Sequence, residues 1–205
     1  MNHETHWQKV YTTKAPEHVS WFQPRPDRAL RFIAAAALAP EAPIIDVGAG
    51  ASRLVDALLA LGYRDITLLD VSAAALAATR ARLGARGDTV TYVTGDITRV
   101  TLPQARYLLW HDRAVFHFLT APADRAAYLA TLRHALAPQG QVVIATFAED
   151  GPERCSGLPV CRYSAAALAA EFGADFALCA DERERHPTPF GTTQWFTYCR
   201  FRRRA

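Results

Sequence analysis

Two glycines and two aspartates in the first half of the chain have the types and order needed to hold a nucleoside. Gly48 and Gly50 lie in the segment Ile44-Ile-Asp46-Val-Gly48-Ala-Gly50-Ala-Ser52, where a short apolar run turns into a helical pattern. Without side chains, they let the backbone approach a ligand closely. Asp70, followed by Val71, stands twenty residues beyond Gly50 at the end of a second apolar run. A carboxylate there can accept hydrogen bonds from two ribose hydroxyls. Gly95-Asp96-Ile97 ends a third run, so that Asp96 is placed to accept from an exocyclic adenine amine while Ile97 covers the ring. A dinucleotide fingerprint requires a third glycine at position 53, where this chain has Arg53, which disfavours a nicotinamide cofactor. Each feature also has a plain structural reading: glycines are common in turns, Asp70 can cap the helix near Ser72, and Asp96 can cap the turn at Ile97. Their order at three successive strand ends favours the ligand.

The elements that would position these groups follow from hydrophobic periodicity. Short strand-like runs cover Ile44 to Val47, Ile66 to Leu69, Val90 to Val93, Arg106 to Trp110 and Gln141 to Phe147. Between them, Arg53 to Leu61, Ala73 to Leu83 and Asp124 to Ala137 have helical spacing of apolar residues. Ser72 is placed to cap the second helix, and Gly62, Gly84 and the Pro138-Gln-Gly140 turn are placed to close three of them. Alternation of this kind predicts an α/β fold with a mostly parallel sheet, whose ligands bind outside the carboxyl ends of the strands. A helix over Ala165 to Phe172 then leads to strands over Phe176 to Ala180 and Gln194 to Phe201, joined by the Pro187 to Gly191 loop.

The order of motifs resembles the class I S-adenosylmethionine-dependent methyltransferases: an acidic residue and G-x-G after strand one, an acidic end to strand two, and G-D after strand three. The resemblance spans roughly Pro43 to Phe147. It implies a doubly wound, mostly parallel seven-stranded sheet with an antiparallel last strand and helices on both faces. It also implies S-adenosyl-L-methionine as cofactor, with Asp46, Gly48 and Gly50 lining its methionine part, Asp70 the ribose and Asp96 the adenine. The segments His6-Trp7-Gln-Lys-Val-Tyr11 and Val19-Ser-Trp21-Phe22-Gln23 resemble a small bacterial branch, distantly related to eukaryotic lysine methyltransferases acting on citrate synthase and elongation factor. Those relatives carry D-K-G-T at the end of strand four, where this chain reads Trp110-His111-Asp112-Arg113-Ala114. That departure weighs against a protein-lysine acceptor.

Methyl transfer from a sulfonium is an in-line displacement accelerated chiefly by positioning and exclusion of water, so few obligatory catalytic groups are expected. His111, Asp112 and Arg113 are the first candidates for acceptor contact, and His117 is a further candidate base; histidine suits proton removal near neutral pH. Asp112 and Arg113 pairing with each other, and His117 packing on a helix, remain open alternatives. Trp21 and Phe22 are read as a lid over cofactor and acceptor, with Trp7 and Tyr11 either joining it or stapling a leading helix to the sheet. Cys155, Cys161 and His186 invite a metal or metalloid reading, but their spacing is not that of a zinc site, and no metal is expected.

A chain of 205 residues, half of them apolar, can bury one core, so a single domain is expected over 1–205. Within it, 1–35 would be the leading lid segment, 43–147 the cofactor-binding core, and 148–205 a substrate loop with the final strands. The apolar run Phe32 to Pro40 is far shorter than the ~20 residues of a membrane span. The first ten residues lack the basic and apolar regions of a secretory signal, which makes the cytoplasm the expected location. Net charge is +3, and Arg200, Arg202, Arg203 and Arg204 are read as a solvated end rather than a nucleic-acid footprint. The expected partner is a small-molecule methyl acceptor (thiol, amine, hydroxyl or metalloid), with neither nucleic acid nor membrane. Protein-lysine methylation and catalytically silent nucleoside binding are the competing readings.

Overall fold

Short apolar runs interleaved with alanine-rich segments fold as alternating strands and helices, and the computed structural model describes them over residues 3–204. A leading pair of helices, α1 (His3–Thr13) and α2 (Asp27–Ala34), precedes β1 (Ile44–Val47), α3 (Leu54–Ala60), β2 (Ile66–Asp70), α4 (Ala73–Leu83) and β3 (Val90–Thr94). The second half contains β4 (Tyr107–Arg113), α5 (Pro122–Ala135), β5 (Leu136–Phe147), β6 (Arg154–Cys155), β7 (Leu158–Pro159), α6 (Ala165–Phe172), β8 (Phe176–Pro187) and β9 (Thr193–Arg203). Met1, Asn2 and Ala205 lie outside the described residues.

Seven strands form one sheet in the order β3-β2-β1-β4-β5-β9-β8. The first five strands run parallel to their neighbours, while β9 is antiparallel to both β5 and β8. This is the doubly wound, mostly parallel architecture expected, with a separate two-stranded ribbon of β6 and β7 inside the long loop after β5. β1 is buried along its whole length, as a central parallel strand must be. Ile44 packs into the core formed with α2, α3 and α4, and Ile45 into the opposite core with α5 and α6. Because the chain moves outward from β1 to β3 and then returns to β4 on the other side of β1, a crevice opens between the ends of β1 and β4.

Several boundaries differ from the sequence expectation. β4 continues beyond Trp110 through His111, Asp112 and Arg113, so these are strand residues with alternating faces rather than a loop. β8 runs on to Pro187, and β9 to Arg203, because the polar stretch after Ala180 pairs in register with β9. Pro138-Gln-Gly140 does not close a helix; α5 has already ended at Ala135, and the three residues lie within β5, with Gln139 at φ +62°. Of the terminal arginines, Arg202 and Arg204 are exposed, whereas Arg200 and Arg203 are not free. Arg200 donates to the Gln141 side chain, and Arg203 Nη1 to the Arg133 carbonyl at 2.8 Å. Among the described residues, no helix is long and apolar enough to cross a membrane.

Candidate active site

The crevice is built from backbone that tolerates no side chains. Gly48, leaving β1, has φ +65°, and a Cβ there would stand 2.0 Å from Val115 Cγ2. Gly50 has φ +51°, and its Cβ would meet the Tyr11 hydroxyl at 2.3 Å. Both positions therefore require glycine by conformation and by space. Asp70, at the end of β2, ties this loop down: Oδ2 accepts from the Gly50 amide and Oδ1 from the Ser72 amide, each at 2.8 Å. Burial pushes its carboxyl up to about 6, against the pull of those two amide bonds. Ser72 in turn caps α4 by accepting from Ala75 N at 3.2 Å.

At the end of β3, Asp96 Oδ1 accepts from the amide and hydroxyl of Thr98, at 2.8 and 2.7 Å. Those bonds orient the carboxylate and leave Oδ2 unengaged by either of them. Gly48, Asp70, Val71, Asp96 and Ile97 line one cavity of about 220 Å³. Trp7, Tyr11, Trp21, Arg113, Phe118 and Cys155 form its other walls. A smaller chamber of about 60 Å³ adjoins it, lined by Asp46, His111 and Phe22 among others, with Gly48, Tyr11, Trp21 and Arg113 common to both.

The run from His111 to His117 is divided by strand geometry. His111 and Arg113 reach the chambers, whereas Asp112 and His117 line neither. The expectation of acceptor contact is corrected for these two. Asp112 points into the α5 side of the sheet, fully buried, and accepts from Val115 N at 2.9 Å, Phe116 N at 3.1 Å and the Tyr128 hydroxyl at 2.7 Å. Burial pushes its carboxyl up to about 6. It braces the turn after β4 and makes no pair with Arg113, which projects to the other face. His117 is equally buried, accepts the Phe147 amide at Nδ1 (3.2 Å), and packs against Phe118 and Phe147. Burial drives its pKa down to about 3, so it is neutral at working pH.

Residues that local sequence patterns left ambiguous complete the walls. Trp7 and Tyr11 of α1 line the main cavity, with Trp7 in edge contact with Trp21 at 5.6 Å and with Phe118 at 5.1 Å. Gln8, on the same helix, accepts from Ser72 Oγ at 2.9 Å and docks α1 on the start of α4. Helical spacing of Trp7 and Tyr11 was the available signal; nothing near Gln8 indicates its partner. Cys155 faces the cavity as a buried thiol pushed up to about 12 by burial, while Cys161 and His186 lie elsewhere. Among the described residues, no three His, Cys, Asp or Glu side chains are grouped to hold a metal ion.

The sheet order, with β9 antiparallel to β5 and β8, is that of the Rossmann-like methyltransferase fold. Residues 44–140 match the family model described as a methyltransferase domain. The fold is similar to a solved S-adenosylmethionine-dependent methyltransferase from Anabaena variabilis, with a TM-score of 0.75, 16% identity, and coverage of 98% of this chain and 93% of that one. It is also similar to the Burkholderia thailandensis 1,6-didemethyltoxoflavin N1-methyltransferase, solved with 1,6-didemethyltoxoflavin and S-adenosylhomocysteine, at TM-score 0.69, 22% identity, and 96% and 81% coverage. A third similar structure concerns the conversion of a disulfide bond into a thioacetal group during echinomycin biosynthesis, at TM-score 0.78, 20% identity, and 97% and 91% coverage. At these identities, the likeness is one of fold. No curated protein matches the sequence.

Proposed function

We propose that this chain transfers a methyl group from S-adenosyl-L-methionine to a small-molecule acceptor carrying a thiol, amine, hydroxyl or metalloid nucleophile. The observation that carries this reading is the convergence of Gly48, Asp70 and Asp96 on one cavity whose other walls include Trp7, Tyr11, Trp21 and Phe118. The residues fit the cofactor: Gly48 presents bare backbone to both chambers, Gly50 lines neither and serves instead by donating its amide to Asp70, and each Asp70 oxygen keeps a lone pair beyond its amide bond. Asp70, with Val71 beside it, would hold the ribose hydroxyls. Asp96 would accept from the adenine amine, with Ile97 against the ring. Asp46, Gly48, His111 and Trp21 would border the methionine end.

S-adenosylmethionine supplies an electrophilic methyl group on a sulfonium. The chain's own residues then orient and dry the site: Trp7, Trp21 and Phe118 exclude water, and Arg113 and Cys155 line the same cavity. His111 donates from Nδ1 to Asp46, and its Nε2 has no partner among the described residues, which makes it the candidate for accepting an acceptor's proton. The sulfonium-dependent reaction itself demands no other base.

Two observations support a small molecule over a lysine side chain. Helix α1 and Trp21 roof the cavity, and the β4 end reads Trp110-His-Asp-Arg113 where the lysine methyltransferases carry D-K-G-T. Kinship with the small bacterial branch, through the segments around Trp7 and Trp21, belongs to the same proposal. We place the reaction in the cytoplasm, in keeping with four free cysteines.

An acceptor screen reporting S-adenosylhomocysteine release, run over thiols, amines, hydroxyl compounds and reduced metalloids, tests the reading. Turnover with a soluble acceptor, lost in Asp70→Ala, is the expected result. Absence of S-adenosylmethionine binding by calorimetry would sink it, and transfer to protein bands in a lysate instead of small molecules would overturn the acceptor class.

A further inference from the structure

Strand β8 is the edge of the sheet, yet it buries two polar side chains that the proposed chemistry does not use. Glu184 and His186 alternate along the strand and so share a face, with exposures of 7% and 3%. What covers them is the short segment ahead of α2. His186 Nε2 donates to the Ser20 carbonyl at 2.8 Å, and Glu184 Oε1 accepts from Gln23 Nε2 at 3.2 Å. Between those two anchors, Arg113 Nη1 donates to the Trp21 carbonyl at 3.1 Å.

Arg113 is itself fixed from three sides: its Nε donates to the Tyr198 hydroxyl at 3.1 Å, its guanidinium lies 4.3 Å from the Phe196 ring centre, and Glu184 Oε2 stands 3.6 Å from Nη2. Residues 20–23 therefore receive three directed contacts from two strands, and the side chain in their midst is Trp21, which lines both chambers. An apolar face would cover an edge strand at lower cost, since buried charge must be desolvated. Directed hydrogen bonds, unlike apolar contact, fix both the position and the rotation of the backbone they hold.

We propose that Glu184 and His186 are positioning residues: together with Arg113, they hold Ser20–Gln23 in the one register that sets the Trp21 ring against the methyl-transfer cavity. The inference rests on the methyltransferase reading of that cavity. It assigns to the far edge of the sheet a part in cofactor binding that neither residue can have by contact, because neither lines the chambers.

The test compares wild type with His186→Phe, which keeps a ring beside Phe196 but loses the donor, and with His186→Gln, which restores one. Two quantities are read: amide hydrogen exchange of residues 19–23 in the free protein, and affinity for S-adenosylhomocysteine by calorimetry. Loss of a buried hydrogen bond predicts faster exchange and about tenfold weaker binding in His186→Phe, with both recovered in His186→Gln. Glu184→Leu, which removes the Gln23 anchor and the partner of Arg113, is expected to act in the same direction and carries the test if His186→Phe does not fold. Unchanged affinity in folded His186→Phe, with or without faster exchange, overturns the inference. Failure of wild type to bind S-adenosylhomocysteine sinks the functional reading instead, and the exchange arm still decides whether the anchors hold the segment.

Discussion

His111 Nδ1 donates to Asp46 Oδ1 at 2.6 Å, and the two residues are direct register partners on the adjacent parallel strands β1 and β4. Both side chains are buried, at the point where the direction of sheet winding reverses. Removing one partner strands the other: His111→Leu leaves the Asp46 carboxylate buried without its donor. The expected loss of stability is about 3–5 kcal/mol, read by urea denaturation, and the double variant with Asp46→Leu should be less destabilised than the sum of the two single changes. Simple additivity would show that the pair is not coupled.

Gly48→Ala places a methyl group in contact with Val115 and forces alanine into a positive-φ conformation. Strain and overpacking together are expected to cost about 2–4 kcal/mol, and cofactor binding should be lost as the cradle closes. Calorimetry with S-adenosylhomocysteine alongside a thermal melt checks both effects.

Asp70 should give cofactor binding a pH dependence. Burial raises its carboxyl to about 6 in the folded chain, and only the ionised form offers acceptors to two hydroxyls. Affinity should therefore fall as pH drops through about 6, and Asp70→Asn should bind more weakly without that inflection. Stability runs the other way. A folded pKa above the unfolded value of 3.8 means the fold holds the proton more tightly, so this residue's stabilising contribution is greatest below about pH 4 and is lost as pH rises through about 6. Affinity profiles of wild type and variant that coincide would refute the assignment.

Asp112 and His117 are expected to affect stability without shaping the chemistry. Asp112→Ala leaves two amides and the Tyr128 hydroxyl proton without their acceptor, which predicts a loss of about 3 kcal/mol or more in denaturant titration. His117→Phe removes only the acceptor of the Phe147 amide and should cost about 1–3 kcal/mol. Because His117 is already neutral above pH 5, the pH–rate profile of the folded variant should overlay that of wild type. A displaced profile would restore His117 as a proton-transfer group.

Thiol labelling should discriminate sharply between the cysteines. Cys179 is exposed, whereas Cys155 is buried, with its thiol pushed up to about 12. Iodoacetamide at pH 8 is expected to modify Cys179 first and leave Cys155 unmodified in the folded protein, as followed by peptide mass spectrometry. Early labelling of Cys155 would mean that the cavity wall opens in solution.

Strand and helix periods, the glycines of the β1 turn and the acidic residue at each strand end are local properties, and they were legible in the chain. Gly48, Asp70 and Asp96 reach one cavity because a parallel sheet brings the ends of successive strands together whatever lies between them. The faces taken by His111, Asp112 and Arg113 were not legible. A central parallel strand is buried on both sides, so no polar alternation marks which residue faces the crevice, and β4 continued three residues past the end of its apolar run. Tertiary structure alone decided that Gln8 meets Ser72, that His186 meets Ser20 and that Arg113 holds Trp21, contacts spanning 64, 166 and 92 residues. Hydrogen bonds of that range depend on where independently formed elements come to rest, and packing of the two cores sets those positions.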